Sequence, residues 1–500
     1  MTAPFLSLRA FLEHLEAQHS LQRIRKAVDK NTELACIVRW VIESTPRQQA
    51  GGLLFENIAG YKESVAVNLF PNRDWYAAAL GVQSGQTLER WARAIEQPHA
   101  PVIVETAAAQ EVVTQGTEVD AGTMPAPVWT PGRDASPYLS AGLVITKDPD
   151  TGVQNLASYR VQVQGPRRLG LFFGSKLQHG AIHHARHSQR NLPTPVAVVV
   201  GAPPAVCFAA AAKTPYGVDE MTIAGGLAGL GLEVVKGRTV DLYVPAEAEY
   251  VIEGVVTPNA QAPEGPFGEA LGYMNDAAPA AYIDVTAITH RRNPIHHGYV
   301  QQLPPSEGHL VMEMGILGPL WHALTRRLRL EGIIGLGIAP GSAGVSTLVV
   351  QLAASHRERA ASIGKAIAQI NFGQKFIYLV DEDIDLDDAE TLNWALSARV
   401  DPHRDITLVD GTNTFQLDPS VLARFHATGK EPSPPPYKSS LAIVDATLKC
   451  KVPAIALPAW SQMEHVLKRW DELELDPILP RKRLVRLLQA HSADEVRNEL

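Results

Sequence analysis

Pro263-Glu-Gly-Pro-Phe-Gly-Glu269 lies between two apolar runs, Glu249-Tyr-Val-Ile-Glu-Gly-Val-Val256 and Ala280-Ala-Tyr-Ile-Asp-Val-Thr-Ala-Ile288. Both runs predict strands, so the segment between them predicts a well-held connection in a sheet. Its two prolines fix φ, and its two glycines relieve the backbone where a side chain does not fit. The result is a rigid mount for two carboxylates, Glu264 and Glu269, near an apolar ring. Rigid placement of two acids suits general acid–base work, where geometry counts before pKa. On this segment alone, a Pro/Gly turn with two solvated glutamates is the simpler reading.

Working outward, the chain around this segment has a β texture from about 102 to 300. Strands are predicted at Val102–Glu105, Ser140–Thr146, Leu156–Gln164, Leu169–Phe173, Pro195–Val200, Leu232–Lys236, Asp241–Val244, Tyr250–Val256 and Tyr282–His290. Short strands punctuated this often by Gly and Pro suggest a barrel-like sheet. Two helices interrupt it, His179–Gln189 and Met221–Leu230. Upstream, Ser7 caps a helix carrying Leu8, Phe11, Leu12 and Leu15 on one face, and further helices fall at about 32–44 and 87–97. Downstream, 310–329 predicts a connecting helix bent or broken at Pro319. Strand–helix alternation follows, signalling a parallel or mixed sheet.

Five hundred residues exceed a single core. The expected division is an N-terminal α/β domain at 1–100, a central domain at 101–305, a connecting helix at 306–332 and a C-terminal α/β domain at 333–500. In that last part, 427–437 reads as a loop and the final fifty residues as helices on the surface or at a subunit contact. Composition is ordinary globular, 45% hydrophobic and 20% charged, with net charge −8. No long basic run appears, which argues against nucleic acid as a partner. Three cysteines, far apart and odd in number, argue against a disulfide framework and fit a reducing compartment. With no secretion signal and no run of about 18 apolar residues, a soluble cytoplasmic protein is expected.

Several other stretches carry candidate chemistry. In Asn155-Leu-Ala-Ser-Tyr-Arg160, residues 155 and 160 face opposite sides of any one strand, so a bulge or strand end is needed to bring both to one site. An arginine there suits a carboxylate or a phosphate; a polar residue and an arginine at a sheet edge is the simpler reading. Gln178-His179 precedes His183, His184 and His187, and His179 and His183 share a helix face. No HExxH pattern accompanies them, so zinc hydrolysis has little support. Asp219-Glu220 opens a helix, where the macrodipole alone favours acids. The acidic run Asp381–Asp388 reads as a solvated loop with capping acids, with cation binding as the alternative. No dinucleotide fingerprint, P-loop, nucleophile elbow or EF-hand is present.

Taken together, these pieces resemble the UbiD family of reversible (de)carboxylases, which use prenylated FMN. The resemblance covers nearly the whole chain. It rests on Asn155…Arg160 with Pro263-Glu-Gly-Pro-Phe-Gly-Glu269, and on Gln178-His179, Tyr216-Gly-Val-Asp-Glu220 and Glu233-Val-Val-Lys…Asp241-Leu-Tyr-Val-Pro. Lys375-Phe-Ile-Tyr-Leu-Val-Asp-Glu-Asp-Ile-Asp and Trp394-Ala-Leu-Ser-Ala-Arg399 extend it downstream. The fold it implies is an α+β and α/β multidomain chain: an N-terminal α/β domain, a flavin-binding split β-barrel and, joined by a helix, a C-terminal α/β oligomerisation domain.

The resemblance also implies roles. Asn155, His179 and Glu220 match residues that hold a divalent ion, manganese or magnesium, at the flavin phosphate, with potassium as an accompanying ion. Gln178 and Lys438 match flavin contacts, and Ser158, Tyr159 and Arg160 belong to the same cofactor-binding stretch. Arg160, Glu264 and Glu269 match a catalytic network. In that chemistry, loss of CO₂ from an aromatic or alkene carbon leaves a carbanion that no side chain delocalises, so a cofactor must act as the sink. Arg160 orients the carboxylate, Glu269 delivers the proton, and Glu264 holds Arg160. The implied substrate is an aromatic, heteroaromatic or acrylic acid, with CO₂ or bicarbonate as the other reactant. His296-His-Gly-Tyr-Val-Gln-Gln-Leu-Pro-Pro305 reads equally as a polar loop at a domain junction or as a pocket lining, and the latter tilts the choice to a polar aromatic acid. A flavin prenyltransferase supplies the cofactor, and the assembly is a homodimer or homohexamer. Two rival readings are a non-catalytic subunit of a larger complex and a split-barrel FMN oxidoreductase.

Overall fold

The computed structural model describes residues 3–370, 373–414, 418–421 and 438–450, then 453, 455–473, 476 and 484–487. The predicted loop at 427–437 and most of the last fifty residues lie outside them. Two compact units result, one built on the chain up to Arg326 and the other on the chain from Arg327 to 414 and from Lys438 on.

The first unit opens with helix Leu8–Ala17, capped by Ser7, whose side chain accepts from the Ala10 amide; Leu8, Phe11, Leu12 and Leu15 form its buried stripe. A four-stranded sheet follows in the order Leu21–Ile24, Gly52–Phe55, Ser64–Val67, Ile295–Gly298. Its last strand comes from far downstream and runs parallel to Ser64–Val67. That pairing draws residues 1–100 and 101–305 into one compact unit.

The central sheet runs Tyr138–Leu139, Arg160–Gly165, Arg168–Phe172, Ala278–His290, Tyr250–Val256, Thr194–Val200, Leu143–Lys147, Gln154–Ser158. Gln154–Ser158 lies at one end of this order and Arg160–Gly165 next to the other end, yet only Tyr159 separates them in the chain. Tyr159 is therefore a seam that draws the two ends together and curls the sheet into a barrel. The enclosed core includes Val144, Val161, Leu169, Leu171, Val196, Val198, Ile252 and Ile283, with the Tyr159 ring packed into it. Each such aliphatic side chain contributes about 1.5–3 kcal/mol on burial.

The predicted single strand Leu156–Gln164 is thus two strands, and the break removes the parity conflict between Asn155 and Arg160. Helices His179–Gln189 and Glu220–Ala228 fall where expected. A third, Pro204–Ala209, is buried at every position and so shows no amphipathic period to read. The helix expected at 310–329 begins at Glu307 and runs through Pro319 to His322 without breaking. Proline removes the amide that would bond Gly315, and the Gly315 carbonyl instead accepts the Lys213 amide at 3.0 Å.

The Pro263–Glu269 segment is a nested excursion. Ala262–Glu264 pairs with the start of the long strand Ala278–His290, and Phe267–Gly268 pairs with Met274–Asn275. Gly265 takes φ +95°, which favours glycine, and a Cβ on Gly268 would lie 2.4 Å from the Gln301 carbonyl oxygen.

The second unit has a mixed five-stranded sheet, ordered Ile333–Ile338, Thr347–Leu352, Phe376–Asp381, Lys438–Asp445, Ile406–Asn413. The central pairs are parallel and the outer pairs antiparallel. Helices Ala360–Ala368 and Ala389–Arg399 accompany it. The acidic run that follows Phe376–Asp381 is not solvated throughout. Asp381 and Asp383 are buried, Arg399 binds both, and Arg357 Nε lies 2.5 Å from Asp381 Oδ1. Asp388 caps Ala389–Arg399, as read. Among the described residues no helix is long and apolar enough to cross a membrane.

Candidate active site

Arg160 opens its strand directly opposite Phe172 of the neighbouring strand. Its guanidinium carbon sits 4.1 Å from the Phe172 ring centroid and 5.6 Å from that of Phe267, which fixes the plane of the fork. Nε donates to Glu264 Oε1 at 2.9 Å and Nη2 to Glu264 Oε2 at 2.5 Å, while Nη1 donates to Glu269 Oε1. The excursion carrying the two acids is tied to the Arg160 strand by Gln164, whose Nε2 donates to the Pro263 carbonyl at 2.8 Å. All three charged side chains are largely withdrawn from solvent, Glu264 almost completely.

Withdrawal shifts the balance at Glu269. Burial raises its carboxyl to about 7; Arg160 opposes the rise and the Glu264 charge adds to it. This group can therefore hold a proton near neutral pH. The Tyr138 ring packs at a tilt against Phe267, centroids 4.2 Å apart, and burial, reinforced by Glu264, keeps its phenol protonated. One cation, one titrating acid and one firmly paired acid form a site able to grip an anion and hand over a proton.

A second cluster lies on the other side of the Tyr159 seam. Glu220 is buried at the start of its helix; it accepts the Leu156 amide at 2.8 Å and the Thr214 hydroxyl at 2.6 Å. His179 Nδ1 is 3.6 Å from Glu220 Oε1. Asn155 is buried, and its Nδ2 has no partner. A buried carboxylate with an imidazole beside it suits a divalent cation, which Asn155 would join through its side-chain oxygen. Among the described residues no set of three His, Cys, Asp or Glu side chains comes together as metal ligands, so the candidate set depends on Asn155 as its third member.

The remaining histidines of that helix are occupied elsewhere. His183 Nδ1 pairs with Thr146 Oγ1 at 2.9 Å, His184 Nδ1 with Thr194 Oγ1 at 2.8 Å, and His187 Nε2 with the Lys147 carbonyl at 3.2 Å. Gln178 precedes the helix and makes no side-chain capping bond. Ser158 is exposed, and its amide donates to the Ala210 carbonyl at 3.0 Å. The Tyr159 hydroxyl accepts the Gly180 amide at 3.2 Å. Lys438 belongs to the second unit, where its Nζ donates to Asn413 Oδ1 at 2.8 Å.

Other expectations need correction or addition. His296, His297 and Tyr299 are buried, exposed by 0%, 1% and 5%, whereas Gln301 and Gln302 are half-buried. His296 and His297 lie within strand Ile295–Gly298, which completes the N-terminal sheet, and Tyr299 follows it directly. Thr214, which supports Glu220, and Tyr216, which stacks edge-on to His179 at 5.2 Å and donates to Asp148 Oδ2 at 2.6 Å, were not singled out as side chains. Nor were Phe172 and Phe267, although Phe267 stands inside the segment that decides the fold.

Comparison with known proteins gives a consistent result. Models described as the N-terminal, Rift-related and C-terminal domains of 3-octaprenyl-4-hydroxybenzoate carboxy-lyase (UbiD) match residues 12–95, 102–304 and 316–430. The uncharacterized protein sll0936 of Synechocystis sp. is 30% identical over 441 residues, covering 82% of this chain and 86% of that protein. The UbiD-class enzyme HmfF from Pelotomaculum thermopropionicum, solved with FMN, is 32% identical with a TM-score of 0.79, covering 91% of this chain and 98% of HmfF. An evolved dimeric form of HmfF was solved with prenylated FMN; it is 32% identical with a TM-score of 0.78, and the match covers 91% of this chain and 97% of that one. The 3,4-dihydroxybenzoic acid decarboxylase of Klebsiella pneumoniae is 25% identical with a TM-score of 0.79, covering 95% of this chain and 98% of the enzyme.

Proposed function

The chain belongs to the UbiD family of carboxy-lyases, and from that premise we propose that it removes the carboxylate of an aromatic or heteroaromatic α,β-unsaturated acid as CO₂, reversibly, with prenylated FMN as cofactor. The observation that carries this reading is one arginine shared by two carboxylates, one of which is poised to titrate near neutrality. Bound prenylated FMN supplies the electron sink that the carbon losing CO₂ requires.

The chain's own residues do the rest. A guanidinium has five N–H donors. Glu264 takes two and Glu269 one, so two remain to orient the substrate carboxylate. Phe172 and Phe267 keep that fork in one plane and exclude water from it. Glu269 Oε gives its proton to the carbon from which CO₂ departs and is left as a carboxylate against Arg160, which stabilises the charge it acquires. Glu264 holds Arg160 in register, and its charge keeps the Glu269 proton available. Asn155, His179 and Glu220 would hold a divalent ion, manganese or magnesium, at the cofactor phosphate, next to Ser158, Tyr159 and Gln178. A flavin prenyltransferase supplies the cofactor and the protein works as a homo-oligomer.

The test is direct. The protein is co-produced with an active flavin prenyltransferase and its bound cofactor identified by native mass spectrometry. It is then offered a panel of hydroxybenzoic, furoic, pyrrole- and indole-carboxylic and cinnamic acids. CO₂ release from at least one acid, absent in Glu269→Gln, is the expected result. Plain FMN with NAD(P)H oxidation and no CO₂ release would overturn the reading.

A further inference from the structure

The backbone that carries Glu269 is held from behind by a buried relay. Glu269 accepts and donates on its own main chain: its amide donates to the Tyr273 carbonyl at 2.8 Å, and its carbonyl accepts the Gly272 amide at 2.8 Å. The next residue, Ala270, is buried, and its carbonyl accepts His309 Nε2 at 2.8 Å. His309 Nδ1 lies 2.7 Å from Ser306 Oγ, and both residues are buried.

Each proton in this chain of contacts has one allowed place. A carbonyl only accepts, so Nε2 of His309 carries the hydrogen. Burial lowers the His309 pKa to about 4, so the ring is neutral at pH 7 and Nδ1 is the acceptor of the Ser306 hydroxyl. Ser306 stands at the N-cap of helix Glu307–His322 but makes no side-chain cap bond, because its hydroxyl is turned to His309 instead. The usual side-chain cap is forgone for a bond that reaches the loop beside the proton donor. Helix Glu307–His322 is long and mostly buried, so the imidazole it carries is a fixed reference point.

We propose that Ser306 and His309 are positioning residues that fix the Glu269–Tyr273 turn, and through it set the Glu269 carboxyl against Arg160. His309 touches neither substrate nor cofactor in this account; it acts through the Ala270 carbonyl. The proposal rests on the role given to Glu269 above, and its test therefore includes a measurement that needs no turnover.

Amide hydrogen exchange of the full-length protein, followed by mass spectrometry, reads the turn directly. In His309→Phe, which keeps a ring and loses both bonds, the peptide covering 266–275 should exchange at least tenfold faster, with other segments of the first unit unchanged. In His309→Gln, whose amide can still donate to Ala270 and accept from Ser306, exchange should return to within threefold of the starting protein. Turnover on whichever acid the panel yields should follow the same order, with kcat lowered about tenfold in His309→Phe, KM within twofold, and rescue in His309→Gln. If His309→Phe fails to fold, Ser306→Ala carries the test, and faster exchange at 266–275 is again expected. Unchanged exchange in the folded variants, or equal loss in His309→Phe and His309→Gln, overturns the proposal. Altered exchange in a protein that releases no CO₂ from any acid sinks the functional reading and leaves the positioning intact.

Discussion

Arg160 meets Glu264 side-on, through Nε at 2.9 Å and Nη2 at 2.5 Å, in a pairing that only a guanidinium can make. The same arginine reaches Glu269 through its third nitrogen. Two acids thereby share one cation, and the geometry gives them different work.

Arg160→Lys should abolish this division. An ammonium is a point charge and cannot face two carboxylates and a substrate at once. Turnover should fall at least a hundredfold, with the thermal midpoint lowered by only a few degrees because a cation is retained. Steady-state kinetics beside a melting curve checks it; turnover within threefold would mean that charge alone, not the fork, is used.

Glu269 should govern the alkaline limb of the rate. In the proposed role its acid form is the donor, and its pKa is raised from 4.5 to about 7, so kcat should decline as pH rises through about 7, roughly tenfold per unit beyond it. The stability sign follows from the same shift. Between 4.5 and about 7 the folded state holds this proton more tightly than the unfolded chain, so its contribution is complete below 4.5 and is lost as pH rises through 7. Urea midpoints of the protein and of Glu269→Gln, measured from pH 4 to 8, should diverge over that interval. Parallel curves would remove Glu269 from the assignment.

The cluster of Asn155, His179 and Glu220 should bind Mn²⁺ in the intact protein. Glu220→Gln and His179→Ala should each weaken binding at least tenfold, read from the free-ion signal in electron paramagnetic resonance. Prolonged dialysis against EDTA should remove the metal from the parent protein. Parental affinity in His179→Ala would move the metal to another site.

In the second unit, Arg399→Ala should be far costlier than Arg357→Ala. Arg399 is buried and binds Asp383 through two nitrogens, at 3.0 and 2.5 Å, whereas the Arg357 side chain is 33% exposed. Removing one partner of a buried ion pair costs about 3–5 kcal/mol, and a partly exposed pair much less. Denaturant unfolding of both variants gives the comparison; equal losses would contradict it.

The sequence was most readable where local chemistry is decisive. Proline and glycine in Pro263–Glu269 marked a rigid mount, and Ser7 with its apolar stripe marked the start and the buried face of a helix. The family resemblance, now supported by matches along the chain, brought Arg160 and the two glutamates to one place before any geometry was known. What the sequence did not display were relations between distant segments. Nothing in His296-His297 announces that the strand holding them completes a sheet begun at Leu21. Pro319 looked like a break because the Lys213 amide that occupies the Gly315 carbonyl is a hundred residues upstream. The Asp381 run looked solvated because charge patterns do not reveal that Arg399 folds back on it.

Tyr159 has a consequence for how this protein can change. One residue separates the strand bearing Asn155 from the strand bearing Arg160, so the chain itself is the ruler that sets the two halves of the site apart. A strand advances about 3.3 Å per residue and turns its side chains over at each step. Adding or deleting a single residue here would therefore invert one half against the other, although a surface loop absorbs the same edit at little cost. The barrel can take an inserted residue at its rim but not at its seam.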